Sequence, residues 1–252
     1  MYPPATSPHI SRPAPDLHID PATLSQFGRR LRAWYRRSAR DLPWRQTRDA
    51  YRVLVSELML QQTQVVRVVP KYHEFLAAFP SLADVARATP DRVMEAWSGL
   101  GYYARARNLH RLAGQLTDGG RDRRAALPSE LHELRALPGI GAYTAGAVAS
   151  FAYGKRTALV DTNVARVLSR VFAPALSPKR PRDLSRIWRI AERTLPRTGT
   201  ATWTHNQALM ELGALVCTAR VAHCERCPVR TICATAAAAR PRAAGHRSGP
   251  PR

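Results

Sequence analysis

The sequence predicts an all-α fold of ten or eleven helices. Apolar residues recur every three or four positions in nearly all of the chain between its two ends, which is the spacing of amphipathic helices. Proline and glycine interrupt these segments at short intervals, so the helices should be joined by tight turns. Only residues 156–160 resemble a strand, and a single short strand does not make a sheet.

The helical segments can be followed in order along the chain. Residues 1–22 and 235–252 are rich in proline, alanine, arginine and glycine without apolar periodicity, a composition typical of disordered tails. The first helix should carry four apolar residues on one face, namely Leu24, Phe27, Leu31 and Trp34. Further helices are predicted in AYRVLVSELMLQQ, VVPKYHEFLAAF, DRVMEAWSGL and ARARNLHRLAGQL. A loop near Gly154 offers one boundary between two domains.

Size and hydropathy indicate a compact protein. A chain of 252 residues with 45% hydrophobic content can bury one large core or two modest ones. It contains no apolar run of 18 or more residues, and proline stands in the N-terminal segment where a signal peptide would carry its apolar stretch. We therefore expect a cytoplasmic monomer with no membrane partner.

The charge balance indicates a polyanionic partner. The chain has 39 lysine and arginine residues against 18 aspartate and glutamate residues, a net charge of +21. Such an excess of positive charge is most often found in proteins that bind nucleic acid. The alternative is a compositional bias, because only Lys71, Lys155 and Lys179 are lysine and the remaining basic residues are arginine.

A glycine turn separates two helical segments in LPSELHELRALPGIGAYTAG. The turn contains Gly139 and Gly141, and a helix of small residues follows it. Glycines let the backbone approach a phosphate closely, and the free N–H groups at the start of the second helix attract an anion. Close packing of two helices is the alternative interpretation of this motif.

Two carboxylates are candidates for chemistry. Asp161 precedes the helical segment TNVARVLSRVF and is predicted to be its N-cap, which does not exclude a second role at a cleft edge. Glu57 lies on a largely apolar helical face, so it should either pair with a base or have a raised pKa. A protonated glutamate and an ionised aspartate suit the cleavage of a glycosidic C–N bond.

All four cysteines lie close together near the end of the chain. Cys217, Cys224, Cys227 and Cys233 form the pattern C-x6-C-x2-C-x5-C. Four thiolates at such spacing can bind a [4Fe-4S] cluster or zinc, and the pattern alone leaves both open. A disulfide framework is not expected in a cytoplasmic chain.

Taken together, these motifs resemble the helix-hairpin-helix iron-sulfur DNA glycosylases, the family that includes endonuclease III and the MutY-type adenine glycosylases. The resemblance covers roughly residues 25–234, and LPWR, SELMLQQTQV, GLGYYARARNL and NQALMELGALVCT are similar to the MutY branch. It implies a [4Fe-4S] cluster on the four cysteines. It also implies a six-helix domain over residues 44–153 and a cluster domain made of residues 23–43 and 154–234, with the active site between them.

The resemblance assigns roles to individual residues. Glu57 would protonate an extruded adenine at N7, Asp161 would stabilise the sugar cation, and Asn163 would support the attacking water or the Asp161 carboxylate. Gln62 would insert into the base stack and Tyr102 would wedge beside the opposite base. The residues expected in the adenine pocket are Trp44, Arg45 and Gln207.

Tyr143 distinguishes two kinds of glycosylase. Relatives that also nick DNA carry a lysine at this place in the turn, and its amine forms a Schiff base. Tyrosine cannot do so, and Ala165 stands where some relatives have a further lysine. The resemblance therefore implies a monofunctional glycosylase that leaves the strand intact.

Three functions follow from these observations. The first is excision of adenine opposite 8-oxoguanine or guanine in mismatched double-stranded DNA during base excision repair. The second is a thymine or uracil glycosylase for G:T or G:U mismatches, because such relatives are also short and carry tyrosine in the turn. The third is a DNA-binding protein without catalysis. MutY-type proteins typically continue into a Nudix-like domain, which we expect this chain to lack. Discrimination of the opposite base should then be reduced, or be left to Tyr102 and its neighbours.

Overall fold

The computed structural model describes residues 18–122 and 126–239 of the chain. Across these residues it contains α-helices and short 3-10 turns but no strand, which confirms the predicted all-α class. The helices are α1 (Pro21–Ser38), α2 (Ala50–Leu60), α3 (Val65–Ala78), α4 (Leu82–Arg87), α5 (Pro90–Ala96), α6 (Ala104–Leu116), α7 (Leu131–Ala136), α8 (Ala142–Phe151), α9 (Thr162–Phe172), α10 (Pro181–Thr194), α11 (Gly199–Leu215) and α12 (Ala234–Ala238). No helix in this part of the chain has the length and apolar character needed to cross a bilayer.

The described residues hold twelve α-helices, more than the ten or eleven predicted, because several helices are very short. Helix α4 has only six residues, but Ser81 and Asp84 form a reciprocal capping box that stabilises its start. Helices also extend into both predicted tails. Asp20 caps α1 so that the helix includes Pro21, and the alanine-rich α12 lies in the predicted C-terminal tail. Most of both predicted tails falls outside the described residues.

The helices form two packed groups. Helices α1, α9, α10, α11 and α12 contact one another, and helices α2 to α8 make a second set of contacts. Helix α11 also packs against α8, which joins the two groups. Buried apolar residues from both groups form one continuous cluster. The division into two domains with the boundaries given above stays a prediction.

Two glycines allow helices α8 and α11 to pack closely against the segment that leads into α9. A Cβ atom at Gly146 in α8 would lie 2.6 Å from the carbonyl oxygen of Ala158, and one at Gly213 in α11 would lie 2.8 Å from Cβ of Asn163. Neither position has room for a side chain. The extended chain before Asp161 is therefore pressed against α8, while the first turn of α9 is pressed against α11.

Candidate active site

A cleft of about 730 Å³ lies where the two groups of helices meet. It is lined by nine of the residues expected at the active site, namely Trp44, Arg45, Glu57, Gln62, Gly141, Tyr143, Asp161, Asn163 and Gln207. Tyr102 and Gly139 are not part of this lining. The fold thus brings together residues that are far apart in the sequence.

Glu57 is a buried acid that lines the cleft. Its position in the last turns of α2 leaves it only 3% exposed. The Tyr143 hydroxyl donates a hydrogen bond of 2.7 Å to its Oε2 atom. Burial raises the pKa of Glu57 to about 7; the bond from Tyr143 opposes this rise and the nearby Asp161 carboxylate adds to it. Glu57 can therefore hold a proton near neutral pH.

Asp161 is the N-cap of α9, as predicted. Its Oδ1 accepts a 2.7 Å hydrogen bond from the Val164 N–H, and its Oδ2 accepts one of 3.1 Å from the Asn163 amide. Burial raises the pKa of Asp161, while these two donors lower it because they favour the charged form. The cap holds the carboxylate rigidly at the cleft edge.

The side chain of Asn163 is held in place by Arg166. Arg166 Nη2 donates to Asn163 Oδ1 at 2.8 Å and to the Gly213 carbonyl at 2.7 Å. The Nε atom of Arg166 donates to the Cys217 carbonyl at 2.9 Å. The amide that faces Asp161 therefore has its oxygen engaged, which leaves its nitrogen as the donor.

The Tyr143 hydroxyl contacts both Glu57 and Met210. Its hydroxyl lies 3.7 Å from Sδ of Met210 in addition to its bond to Glu57. Burial and the two neighbouring carboxylates raise the pKa of Tyr143 well above its ordinary value, so the phenol stays protonated. No pattern in the sequence indicated that this side chain hydrogen-bonds to Glu57.

A buried ion network supports the pocket next to these groups. Glu211 accepts bonds from Arg40 Nε at 2.9 Å and from Arg45 Nη2 at 2.8 Å. Arg45 Nε also donates to Gln207 Oε1 at 2.9 Å. Burial alone would raise the pKa of Glu211, but the bonds from the two arginines outweigh it and lower that pKa to about 2. The network fixes the side chains of Arg45 and Gln207.

Arg40 and Glu211 were not among the residues predicted for the site, although both line the cleft. One signal for Glu211 was available, because it is a lone carboxylate in the apolar segment ALMELGAL, one helical turn after Gln207. No comparable pattern marks Arg40, which is one arginine among many.

The two glycines of the hairpin have different surroundings. Gly139, at the turn between α7 and α8, has φ of +77°, and a Cβ atom there would lie 2.6 Å from Nδ2 of Asn108. Gly141 is the N-cap of α8, and a Cβ atom at this position would meet none of the described residues within 4 Å. Within the described chain no side chain caps the first N–H groups of α8, so they are open to an anion.

Two loops beside the cleft place non-glycine residues in the left-handed region. Gln62 follows α2 with φ of +56°, and Tyr102 precedes α6 with φ of +49°. Tyr102 is 58% exposed, which is unusual for a large aromatic side chain. Such a conformation is sparsely populated, costs about 1–3 kcal/mol, and persists only where its surroundings enforce it.

The four cysteines line a second cavity, of about 240 Å³. All four thiols are free, and no group of three metal-binding side chains in residues 18–122 and 126–239 is close enough to hold a single metal ion. Arg170 ties this loop to α9, because its Nη1 donates to the Cys217 Sγ at 3.4 Å and its carbonyl accepts from Thr235 at 2.7 Å. Four cysteines around one cavity fit the donor set of an iron-sulfur cluster.

Comparison with known proteins agrees with this architecture. The sequence pattern of the HhH-GPD superfamily base excision DNA repair proteins matches residues 55–190. A human protein named adenine DNA glycosylase is 42% identical over 227 residues, which are 86% of this chain and 40% of the human protein. A Mycolicibacterium smegmatis protein of the same name is 45% identical over 201 residues, which are 79% of this chain and 66% of that relative. This chain spans less than half the length of its human and rat relatives.

Solved structures share the same fold. A thermostable thymine-DNA glycosylase has a TM-score of 0.77 and 28% identity, with 86% of this chain and 98% of that chain covered. A non-covalent endonuclease III–DNA complex has a TM-score of 0.71 and 20% identity, with 88% of this chain and 98% of that chain covered. The matched pattern covers more than half of the residues, including the hairpin, Glu57 and Asp161. The chain therefore belongs to the HhH-GPD superfamily of base excision DNA repair proteins.

Proposed function

We propose that this chain is a monofunctional DNA glycosylase that removes adenine mispaired with 8-oxoguanine or guanine in double-stranded DNA. The observation that carries the proposal is the pair of carboxylates in one cleft: Glu57 has a pKa raised to about 7, and Asp161 is held by donors. The names of the human and mycobacterial relatives support adenine as the base.

The two carboxylates would divide the work of breaking the glycosidic bond. The base must first leave the helical stack, since the bond is unreachable inside the duplex. Because Tyr143 donates to Oε2 of Glu57, the Glu57 proton sits on Oε1, from which it is given to the departing adenine at N7. Asp161 accepts two hydrogen bonds that favour its ionised form, and its negative charge would stabilise the oxocarbenium-like sugar.

The pocket network supplies groups that contact the extruded base. Arg45 occupies the Gln207 oxygen, so the amide nitrogen of Gln207 remains available to donate to a lone pair on a ring nitrogen. Trp44 packs edge-on against Tyr72, with ring centroids 5.5 Å apart, which fixes one wall. Asn163 orients the attacking water or holds Asp161 against it.

Tyr143 determines the product. A bifunctional enzyme needs an amine to form a Schiff base with the sugar, and the phenol of Tyr143 cannot supply one. Water is then the nucleophile. The product is an abasic site in an unbroken strand.

A second candidate is a thymine or uracil glycosylase acting on G:T or G:U mismatches. The solved thymine-DNA glycosylase, which shares the fold at 28% identity, favours it. A buried acid such as Glu57 favours adenine, because release of a pyrimidine does not call for protonation at N7.

We propose that DNA binds through the hairpin and the two left-handed loops. Gly141 and the open N–H groups of α8 contact a phosphate without reading sequence. Gln62 fills the gap left by the extruded base and Tyr102 wedges beside the opposite base. The net charge of +21 strengthens this contact. We further propose that the protein acts as a monomer in the cytoplasm.

We also propose that Cys217, Cys224, Cys227 and Cys233 hold a [4Fe-4S] cluster. When bound, the cluster supplies four covalent links that brace the loop after α11. Purified protein should be brown and contain about four irons per chain. Colourless protein with stoichiometric zinc contradicts the assignment.

The deciding experiment uses four duplexes that carry A:8-oxoguanine, A:G, G:T or G:U, each analysed with and without alkali. Adenine release that becomes visible as strand cleavage only after alkali supports the proposal. Release confined to thymine or uracil supports the second candidate instead. Cleavage without alkali contradicts the role given to Tyr143. If Glu57→Gln and Asp161→Asn are as active as the wild type, the cleft is not the catalytic site.

A further inference from the structure

Arg105 is a buried arginine that lies outside the catalytic cleft and has no role in the chemistry described above. It stands in the first turn of α6 and is 7% exposed. An arginine is rarely buried to this extent unless its guanidinium finds enough acceptors. Here the acceptors come from two separate loops.

One side of the guanidinium caps the end of α2. Nη1 of Arg105 donates to the carbonyl oxygens of Leu58 at 2.6 Å, Met59 at 3.0 Å and Gln61 at 2.6 Å. The last carbonyls of a helix have no partner within the helix, and a cation is favoured there by the helix dipole. The same helix carries Glu57, the residue immediately before Leu58.

The other side of the guanidinium binds the loop before α6. Nη2 donates to the carbonyl oxygens of Leu100 at 3.1 Å and Gly101 at 2.9 Å, and Nε donates to that of Tyr102 at 3.3 Å. Thr63 joins the two loops directly, because its hydroxyl lies 3.4 Å from both Arg105 Nη2 and the Leu100 carbonyl. One side chain thus bridges residues 61–63 and 100–102.

These two loops carry two of the three non-glycine residues with positive φ in the described parts of the chain, Gln62 and Tyr102. A backbone in this region persists only where its surroundings enforce it. Arg105 binds the carbonyl of Gln61, the residue before Gln62, and the carbonyls of Gly101 and Tyr102, which lie on either side of the Tyr102 Cα. The enforcing contacts of both loops therefore converge on one guanidinium.

We propose that Arg105 is a positioning residue that holds Gln62 and Tyr102 in a fixed relation, so that both enter the DNA stack together when the base is extruded. This inference rests on the proposed function, since Gln62 and Tyr102 act on DNA only if the chain extrudes a base. The coupling of the two loops is a property of the free protein and can be tested separately.

The test compares the wild type with two variants. Arg105→Met keeps the length of the side chain and removes all of its hydrogen-bond donors. Arg105→Lys keeps the positive charge but loses the planar guanidinium that reaches both loops. Arg111→Met, at an exposed arginine on the same helix, is the matched control. Hydrogen exchange is measured on the free proteins at residues 61–63 and 100–103. Single-turnover excision is measured for adenine opposite guanine and for adenine opposite a site that lacks a base.

We expect Arg105→Met to speed hydrogen exchange in both loops. It should also slow excision from the A:G pair by roughly tenfold or more, because Gln62 and Tyr102 must drive the unpairing of this base pair. Excision opposite the missing base should fall less than about threefold, since little unpairing is needed there. Arg105→Lys should lie between the wild type and Arg105→Met, and Arg111→Met should match the wild type. If Arg105→Met does not fold, the same comparisons are made with Arg105→Lys.

Two results would overturn the inference. One is unchanged exchange in either loop, because the loops are then not coupled through Arg105. The other is an equal loss of excision on both substrates, which indicates general damage to the fold. If the wild type releases no base from any duplex, the proposed function fails, while the exchange measurement still decides whether Arg105 couples the loops.

Discussion

At the scale of single residues, the acid that fits the chemistry also makes the protein less stable. Glu57 ionises near pH 7 when folded and near 4.5 in the unfolded chain. The folded state therefore binds this proton more tightly. This tighter proton binding adds to the free energy of unfolding. The added stability is fully present below pH 4.5 and is lost as the pH rises through about 7. The loss amounts to roughly 3 kcal/mol.

The first prediction concerns Glu57→Gln, which removes this titration. Excision should fall by roughly 10²–10⁴-fold. Between pH 5 and pH 8, the free energy of unfolding of the variant should rise relative to the wild type by roughly 3 kcal/mol, measured by urea denaturation. Glu133→Gln, at an exposed carboxylate, should change neither quantity. A constant difference between variant and wild type across this pH range would show that Glu57 titrates normally.

The second prediction concerns Tyr143→Phe. The hydroxyl of Tyr143 stabilises the charged form of Glu57, so removing it should raise the pKa of that acid further. The rate of single-turnover excision should begin to fall near pH 7 in the wild type and at a higher pH in the variant. A pH profile that stays in place, or moves to lower pH, contradicts the role given to this hydrogen bond. Both proteins should leave the strand uncut before alkali.

At the scale of structural elements, the two glycines of the hairpin have different roles: Gly139 matters for stability and Gly141 for the approach of a phosphate. Gly139→Ala must place a methyl group against Asn108 in a left-handed backbone, so the free energy of unfolding should fall by about 1–3 kcal/mol. Gly141→Ala meets no atom of the described residues, so stability should change by less than about 1 kcal/mol. Its methyl group points to where a phosphate would approach, and affinity for an undamaged duplex should fall. Equal effects of the two variants on stability and on binding would contradict this division.

The long helices could be predicted from the sequence, but the shortest ones could not. Apolar spacing indicated the long amphipathic elements, since this pattern arises directly from burial of one face. Helix α4 and helix α12 are too short to show a period, and they exist because of a capping box and alanine content.

The site could be predicted only in part, for a related reason. The cap at Asp161 and the burial of Glu57 were predictable because both follow from neighbours in the sequence. The bond between Tyr143 and Glu57 joins residues 86 positions apart, and Arg40 meets Glu211 across 171 positions. Periodicity shows which face of a helix is buried but not which residue it meets. The roles in catalysis stay predictions.

At the scale of the whole molecule, charge should dominate the affinity for DNA. With 39 basic and 18 acidic residues, the protein should lose affinity for duplex steeply as salt rises. If it neutralises about six to ten phosphates, affinity should fall by roughly 10³–10⁵-fold between 50 and 200 mM salt. Fluorescence anisotropy with an undamaged duplex measures this slope, and a single strand of equal length should give a shallower one. A flat response would mean that base contacts, rather than phosphates, provide the affinity.

Helix α11 limits which positions of the candidate site can change during evolution. It carries Gln207 at the base pocket, Met210 against Tyr143, and Gly213 against the first turn of α9. Gln207 lines the cleft, whereas any side chain at Gly213 displaces Asn163. Selection for a new substrate base, in nature or in the laboratory, should therefore accumulate at the pocket end of this one helix and leave its far end unchanged.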